Sequence, residues 1–193
     1  MARNNPPGQI NIKGLRSGDL TLNLIERSDY APLCELLRKY DEAAYFLEEL
    51  EKSYLPRYDD AGRRTKYGFH ASLAENPAGL CLLGISSWEH RRGYTGADIL
   101  PHMRGRNIAP QSKPLLFFLA FEMLGMNRVE TGCLASNESS RRSIEKIKGI
   151  QYEGRLREYN RRPDGRYEDD LRYAILRRDW LKLYDRSEIE VIR

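Results

Sequence analysis

The chain has 193 residues, 40% of them hydrophobic, and this length and composition suit one domain with a core of its own. Its 32 Lys and Arg residues against 28 Asp and Glu give a net charge of +4. That mildly basic balance fits a small anionic ligand and is also compatible with nucleic acid, but it is too even to argue for a nucleic-acid partner.

Apolar periodicity divides the N-terminal half into elements. The first 18 residues, rich in Asn, Pro, Gly and Arg, are predicted to form a poorly ordered arm. Alternation in LTLNLI predicts a first strand, and helical spacing follows. The predicted elements of this half are a strand at 20–25, helices at 30–40 and 42–52, and strands at YGFHASLA, LCLLGISSW and YTGADIL.

The C-terminal half continues with alternating helices and strands. A helix at 113–124 closes at Gly125, a typical C-cap residue, and is followed by a strand at 127–134. A helix at 137–148 precedes two strands, at 152–159 and 169–176, joined by a turn at PDG. We therefore predict an α/β (α+β) fold, a single domain at 19–184 with a mixed, mostly antiparallel central sheet flanked by helices, and a tail at 185–193.

The three cysteines, Cys34, Cys81 and Cys133, lie far apart in apolar neighbourhoods. No pair has the spacing of a metal site, so they are expected to be buried free thiols in a reducing compartment, with no metal bound. No window approaches the roughly 20 apolar residues of a membrane span, and the first residues lack a signal-peptide core. A cytoplasmic location and no membrane partner are the expectation.

Three segments, taken together, resemble the GNAT superfamily of N-acyltransferases. They are PHMRGRNIAP, LAFEMLGMNRVETGCLASNESSRRSIEKI and EGRLREYNRRPDGRYEDDLRYAILRRDW. The resemblance covers about residues 20–180 and is closest to the Rim-type branch, whose best-known members acetylate the N-termini of ribosomal proteins. It implies a GNAT fold, acetyl-CoA or another acyl-CoA as co-substrate, and a primary amine as acceptor.

The first segment carries the family's cofactor motif, R/Q-x-x-G-x-G/A, in which backbone N–H groups face the CoA pyrophosphate. Here Arg104 and Ala109 match the motif, and Asn107 stands where the family has Gly. Asn is the next best residue for a left-handed backbone, so the loop geometry can survive. The alternative is an arginine-containing surface turn. The resemblance makes the cofactor-binding loop Arg104, Gly105, Arg106, Asn107, Ile108 and Ala109.

The resemblance also implies roles beyond the loop. A backbone N–H of the preceding strand, at Ile99 or Leu100, would polarise the thioester oxygen. Asn137 would contact the pantetheine arm, and Ser140 would protonate the departing thiolate. Asn137 is equally a good N-cap residue for the helix that follows it.

The general base is less defined by the sequence. The family often places Glu about ten residues before the motif arginine, and Tyr94 occupies that position here. Strand alternation puts Asp98 on the same face as Tyr94, which makes Asp98 the first substitute. Glu89 and His90, in the preceding turn, are further candidates. His102, beside the loop, could contact phosphate.

The sequence leaves three functions open. The first is acyl transfer from acyl-CoA to a protein N-terminus or a small-molecule amine by direct attack in a ternary complex, by a monomer or homodimer. The second is a GNAT-fold transferase with aminoacyl-tRNA as donor, and the third is a catalytically inactive binding module. A set of basic residues would suit tRNA if they share a face: Arg63, Arg64, Lys66, Arg91, Arg92, Arg104 and Arg106. The acids Glu168, Asp169 and Asp170 could attract a cationic amine, or form a solvated charge run.

Overall fold

The computed structural model describes residues 10–193, among which nine strands form one sheet in the order β7-β8-β6-β5-β4-β3-β2-β1-β9. Adjacent strands are antiparallel except β5 and β6, which are parallel. This confirms the predicted fold class. The strands are β1 (Gly14–Ser17), β2 (Leu20–Leu24), β3 (Lys66–Leu73), β4 (Asn76–Ser87), β5 (Arg92–Ile99), β6 (Arg128–Leu134), β7 (Gln151–Arg161), β8 (Tyr167–Leu176) and β9 (Glu190–Ile192).

Helices cover both faces of the sheet. They are α1 (Tyr30–Leu37), α2 (Ala43–Glu49), α3 (Ile108–Phe118), α4 (Glu138–Glu145) and α5 (Arg177–Leu183), with π-helical continuations of α2 at Leu50–Tyr54 and of α3 at Leu119–Met123. One core cluster packs α1 and α2 on the sheet, and the other packs α3, α4 and α5. Strand β4 contributes to both core clusters: Leu80 and Leu82 pack with α1 and α2, and Cys81 and Leu83 pack with α3, α4 and α5. Because both faces of β4 are buried, its apolar run is unbroken.

The segments near both ends of the chain contain strands that the sequence did not predict. Residues 1–9 of the predicted arm lie outside the described residues, but Gly14–Ser17 form β1, with Leu15 fully buried. The predicted tail contains β9, which pairs antiparallel with β1. Four- and three-residue strands are too short to show an alternation pattern, and their stability comes from pairing with each other and with β2.

Helix α3 begins five residues earlier than predicted. Asn107 holds the left-handed conformation at its N-cap, with φ 62° and ψ 18°. Pro110 falls in the first turn, where its missing N–H costs no intrahelical bond. The chain can therefore turn directly from the motif loop into the helix. At the other end, Gly125 follows the π-helical continuation and has the positive φ, 66°, that is expected of a C-cap glycine.

The sheet opens between β5 and β6. Their register contains three pairs, Arg92↔Arg128, Gly93↔Val129 and Tyr94↔Glu130, although β5 continues to Ile99 and β6 to Leu134. The remaining lengths of the two described strands are unpaired with each other. The resulting gap is bordered by backbone N–H and C=O groups that would be hydrogen-bonded to each other in a continuous sheet.

Other expectations concern the side chains and the membrane. All three cysteines are buried and free, as predicted. Among residues 10–193, no three or more His, Cys, Asp or Glu side chains are grouped to hold a metal ion. No helix in the described part of the chain is long and apolar enough to cross a membrane.

Candidate active site

Two adjacent cavities, which share lining residues, lie at the C-terminal end of β5. The outer cavity, of about 820 Å³, lies between the loop Arg104–Ala109, the start of α2, and α4. The inner cavity, of about 310 Å³, lies in the gap between β5 and β6. Both are lined by Ala97, Asp98, Ala109, Ser140 and Ser143. A ligand that fills the outer cavity can therefore reach the gap in the sheet.

The loop keeps the backbone geometry of an anion site. Gly105 and Asn107 both have positive φ, 79° and 62°. The Asn107 side chain does not cap α3; instead its Oδ1 accepts a hydrogen bond from Lys146 Nζ at 3.3 Å. The N–H groups of Ile108 and Ala109, the first two residues of α3, are thus left for another acceptor, which is the arrangement that binds phosphate. Asn in place of Gly is compatible with this geometry, and the residues present fit a CoA pyrophosphate.

Arg104 ties this loop to the opposite wall of the outer cavity. Its Nη1 and Nη2 donate to the two carboxylate oxygens of Glu42, at 2.9 and 2.5 Å, and its Nε donates to the Ile99 carbonyl at 3.2 Å. The hydrogen bond from Arg104 lowers the pKa of Glu42. Beside this pair, the His102 ring stacks on Tyr40 with centroids 4.8 Å apart. Two contacts therefore join the segment after β5 to the start of α2. Arg106 is exposed and lines neither cavity.

Of the two predicted N–H donors, Ile99 at the end of β5 and Leu100 just after it, only Ile99 faces the gap. Leu100 N–H donates to Ala78 O at 3.0 Å, and Leu100 is fully buried. In an antiparallel ladder, successive residues direct their backbone groups to opposite sides. The N–H groups of Ile99 and Ala97 consequently point away from β4, into the gap, and both residues line the outer cavity. Ile99 is retained as the candidate, and Leu100 is not.

Asp98 lies at the junction of the two cavities. Its carboxylate accepts hydrogen bonds from Tyr45 OH at 2.8 Å and Tyr54 OH at 2.5 Å. Burial, with the nearby Asp98 charge, raises the pKa of both tyrosines, so both remain protonated donors. These donors fix the orientation of the carboxylate, and sequence alternation alone could not have identified either of them.

The other base candidates lie elsewhere. The Tyr94 ring covers Gly84 and packs with α1 and α2, and it lines neither cavity. Burial raises the pKa of Tyr94. Glu89 and His90 are exposed in the turn before β5, whereas the site lies at the other end of that strand, about 23 Å away at roughly 3.3 Å per residue. Asp98 is therefore the one candidate among these that lines the cavities.

Helix α4 forms one wall of both cavities. Asn137 Oδ1 accepts from Ser140 N at 2.9 Å, so Asn137 is the N-cap, and it also lines the outer cavity. Both alternatives for Asn137 are compatible with this position. Ser140 lines both cavities and lies beside Cys133. Burial raises the pKa of Cys133, and a hydrogen bond with the Ser140 side chain partly offsets that effect.

Sequence reasoning missed the buried lysine of the inner cavity. Lys113, on α3, is only 4% exposed, and its Nζ donates to Thr95 Oγ1 at 3.0 Å. Burial lowers the pKa of Lys113 to about 8. A lysine at a core-facing position of the run QSKPLLFF was the available signal, because an ammonium is almost never fully buried without a partner.

The charged groups suggested for an acceptor or for tRNA are engaged elsewhere. In β8, Glu168, Asp169 and Asp170 each pair with an arginine and line neither cavity. Arg64, in the basic set, is only 8% exposed and bonds Glu26 and Ile25. Because Arg91 and Arg92 lie at the far end of β5 from Arg104, the set does not form one face.

Comparison with known proteins agrees with this geometry. Residues 19–149 match the family described as Acetyltransferase (GNAT) domain. The fold resembles that of a protein assigned as an acetyltransferase, with TM-score 0.68 and 21% identity over 90% of this chain and 91% of that one. It also resembles the dodecameric spermidine N-acetyltransferase of Vibrio cholerae, with TM-score 0.64 and 22% identity over 84% of this chain and 96% of that one. No curated protein matches the chain.

The family match covers more than half of the chain, so the protein belongs to the GNAT acetyltransferase domain family. It is an N-acetyltransferase, a class whose co-substrate is acetyl-CoA. The Rim-type branch is not distinguished by these relatives.

Proposed function

We propose that the protein transfers an acetyl or related acyl group from acyl-CoA to a cationic primary amine by direct attack in a ternary complex. The observation that carries this proposal is the position of Asp98. Its oriented carboxylate lies between a cavity with an anion-binding loop and a gap with unpaired backbone N–H groups.

The donor would bind along the outer cavity. The N–H groups of the loop and of the first turn of α3 would hold the pyrophosphate, and Lys146, bonded to Asn107, adds a positive charge there. Acyl-CoA supplies the activated thioester carbonyl. Ile99 N–H is the group on β5 that can donate to the carbonyl oxygen as negative charge develops on it.

Asp98 would act as the base. It accepts the proton of the acceptor ammonium, directly or through one water, while the tyrosines keep it aimed into the cavity. The neutral amine nitrogen then bonds to the carbonyl carbon and the carbon–sulfur bond breaks. Ser140 donates its proton to the leaving thiolate and is reprotonated, directly or through water, by the second proton that the nitrogen loses as the amide forms. No covalent intermediate on the protein is required.

The acceptor would approach from α2. Among the residues that the structure describes, four carboxylates line the two cavities. Glu42, Glu49 and Asp98 lie on the side of α2, so this wall attracts a cation, and Glu138 lines the outer cavity from α4. A protein N-terminus, as in the Rim-type branch, and a polyamine, as in the spermidine N-acetyltransferase of similar fold, both present such an amine.

The first experiment is a thermal melt of the purified protein with and without acetyl-CoA. A ligand that binds only the folded state raises the midpoint by an amount set by its concentration over Kd. A thiol-release assay with spermidine and with short peptides that have free N-termini then identifies the acceptor class. The proposal fails if no CoA ester shifts the midpoint or releases thiol with any amine.

A further inference from the structure

We propose that the inner cavity selects donors whose acyl group ends in a carboxylate, with Lys113 as the group that recognises that carboxylate. The inference rests on the proposed function and names the donor class of the same site. The reaction stays balanced: the nitrogen–carbon bond forms, the carbon–sulfur bond breaks, the thiolate takes a proton, and the distal carboxylate is unchanged.

The inner cavity lies next to the position that the proposed donor site gives to the acyl group. The loop, Ile99 and Asn137 line the outer cavity, and the inner one continues from it past Ala97 and Ser140. A thioester carbonyl held at Ile99 N–H therefore directs its acyl chain into the gap between β5 and β6. The inner volume of about 310 Å³ is far larger than a methyl group needs, since a molecule as small as water occupies only about 30 Å³.

The ammonium in this cavity has fewer hydrogen-bond acceptors than donor hydrogens. Lys113 Nζ has three donor hydrogens, and within residues 10–193 its hydrogen-bond partner is Thr95 Oγ1. Thr95 in turn is held in place, because Thr131 Oγ1 donates to its carbonyl at 3.2 Å. A buried ammonium is costly unless it is paired and fully bonded. A carboxylate would supply both the charge and the missing acceptors.

The two acids of the inner cavity already have partners on the side of α2. Asp98 accepts from Tyr45 and Tyr54, and Glu49 lies 3.8 Å from Lys52. Lys113 reaches the gap from α3, on the opposite face of the sheet. The acidic side chains of the inner cavity therefore lie on the side of α2, where the amine would enter. Its one cationic side chain among the described residues, Lys113, lies on the side of α3, where it can bind an anion.

The test compares two acyl groups of the same length. Succinyl-CoA and butyryl-CoA both carry four acyl carbons and differ in a terminal carboxylate against a methyl. With the amine that the wild type acetylates, we expect kcat/KM for succinyl-CoA to exceed that for butyryl-CoA by at least about tenfold, since a site built for a polar group rejects its apolar analogue. A wild-type preference for butyryl-CoA, or equal use of both, would overturn the inference.

The second test measures the same two donors with the variant Lys113→Met. The substitution removes the charge with little change of volume, and we expect it to reverse the succinyl-to-butyryl ratio; an unchanged ratio contradicts the inference. The matched control is Lys146→Met in the outer cavity, which should weaken all CoA donors alike and leave the ratio as in the wild type. Use of acetyl-CoA without a succinyl preference defeats only this inference, whereas no response to any CoA ester defeats the proposed function.

Discussion

At the scale of single residues, Asp98 shows how far a pattern leads. Strand alternation placed it on the face of Tyr94, and both side chains do lie on the side of α1 and α2. Asp98 is distinguished by its two tyrosine donors, which lie on α2 and on its continuation, 53 and 44 residues away in the chain. Tertiary partners at that separation leave no local pattern in the sequence, and the same is true of the Thr95 partner of Lys113.

Replacing Asp98 with Asn should lower kcat by roughly 100-fold or more, because the amide cannot accept the amine proton. The donor Kd should stay near that of the wild type, since the loop is untouched. Steady-state kinetics with a separate titration of CoA measure both. Glu89→Gln, in the remote turn, is the control and should have wild-type kinetics. Wild-type kcat in Asp98→Asn would place the base elsewhere.

Replacing Lys113 with Met should stabilise the protein at pH 7. The unfolded lysine keeps its proton up to about pH 10.5, whereas the folded one releases it above about pH 8. Below about pH 8 the folded protein therefore contains a buried charged lysine, which lowers its free energy of unfolding. As the pH rises from about 8 to 10.5, this penalty disappears and the free energy of unfolding increases. We expect a gain of up to about 3 kcal/mol at pH 7.

Urea denaturation of both proteins at pH 7 and pH 9.5 measures that gain. Other titrating groups are shared by the two chains, so their contributions cancel in the difference. The advantage of Lys113→Met should shrink at the higher pH. A difference that is independent of pH would mean that Lys113 is not desolvated in the folded protein.

At the scale of elements, periodicity located every long strand and helix but misplaced the start of α3 and missed α5. The start depends on a left-handed backbone at Asn107 and on a proline that is harmless in a first turn, neither of which contributes to apolar spacing. The loop itself was identified by its resemblance to a motif. Its attachment to α2 through Glu42 and Arg104 joins residues 62 positions apart and was not predictable.

The conformation of Asn107 yields a matched pair of variants. Asn107→Gly should keep stability within about 0.5 kcal/mol and retain the thermal shift with acetyl-CoA, because glycine adopts positive φ freely. Asn107→Val should lose about 1–2 kcal/mol and most of the shift, since a β-branched residue is strained there. Melting curves with and without acetyl-CoA distinguish them. Equal behaviour of the two variants would show that the loop does not need this backbone.

At the scale of the whole molecule, the sheet is completed at one edge by the two ends of the chain. Lys13 N donates to Ile192 O at 2.7 Å, and Ile189 and Val191 pack on the main core. The domain boundaries predicted from sequence left out these segments, because short strands become recognisable only through their partners. The central strands, with long apolar runs, were recognisable without them.

Deleting residues 185–193 tests that boundary. Loss of β9 removes the partner of β1 and exposes its edge, so we expect a loss of about 1–3 kcal/mol and a greater tendency to aggregate. KM and kcat at low temperature should be unchanged, since β9 lies at the edge of the sheet and β1 to β4 separate it from β5. Removal of Arg193 alone is the control. If deletion of residues 185–193 leaves the melting temperature unchanged, this segment does not stabilise the fold, and the domain ends at residue 184 as predicted from the sequence.

The unpaired length of β5 gives the strand an unusual amide hydrogen-exchange signature. The N–H of Leu100 donates to β4, and the alternation of the ladder directs the N–H of Asp98 to the same side. The N–H groups of Ala97 and Ile99 point to the other side, into the open gap. In the free protein, deuterium should enter this strand at every second position. An acyl donor that bonds to Ile99 would slow exchange at that amide above all, so one residue would report occupancy of the site without any turnover.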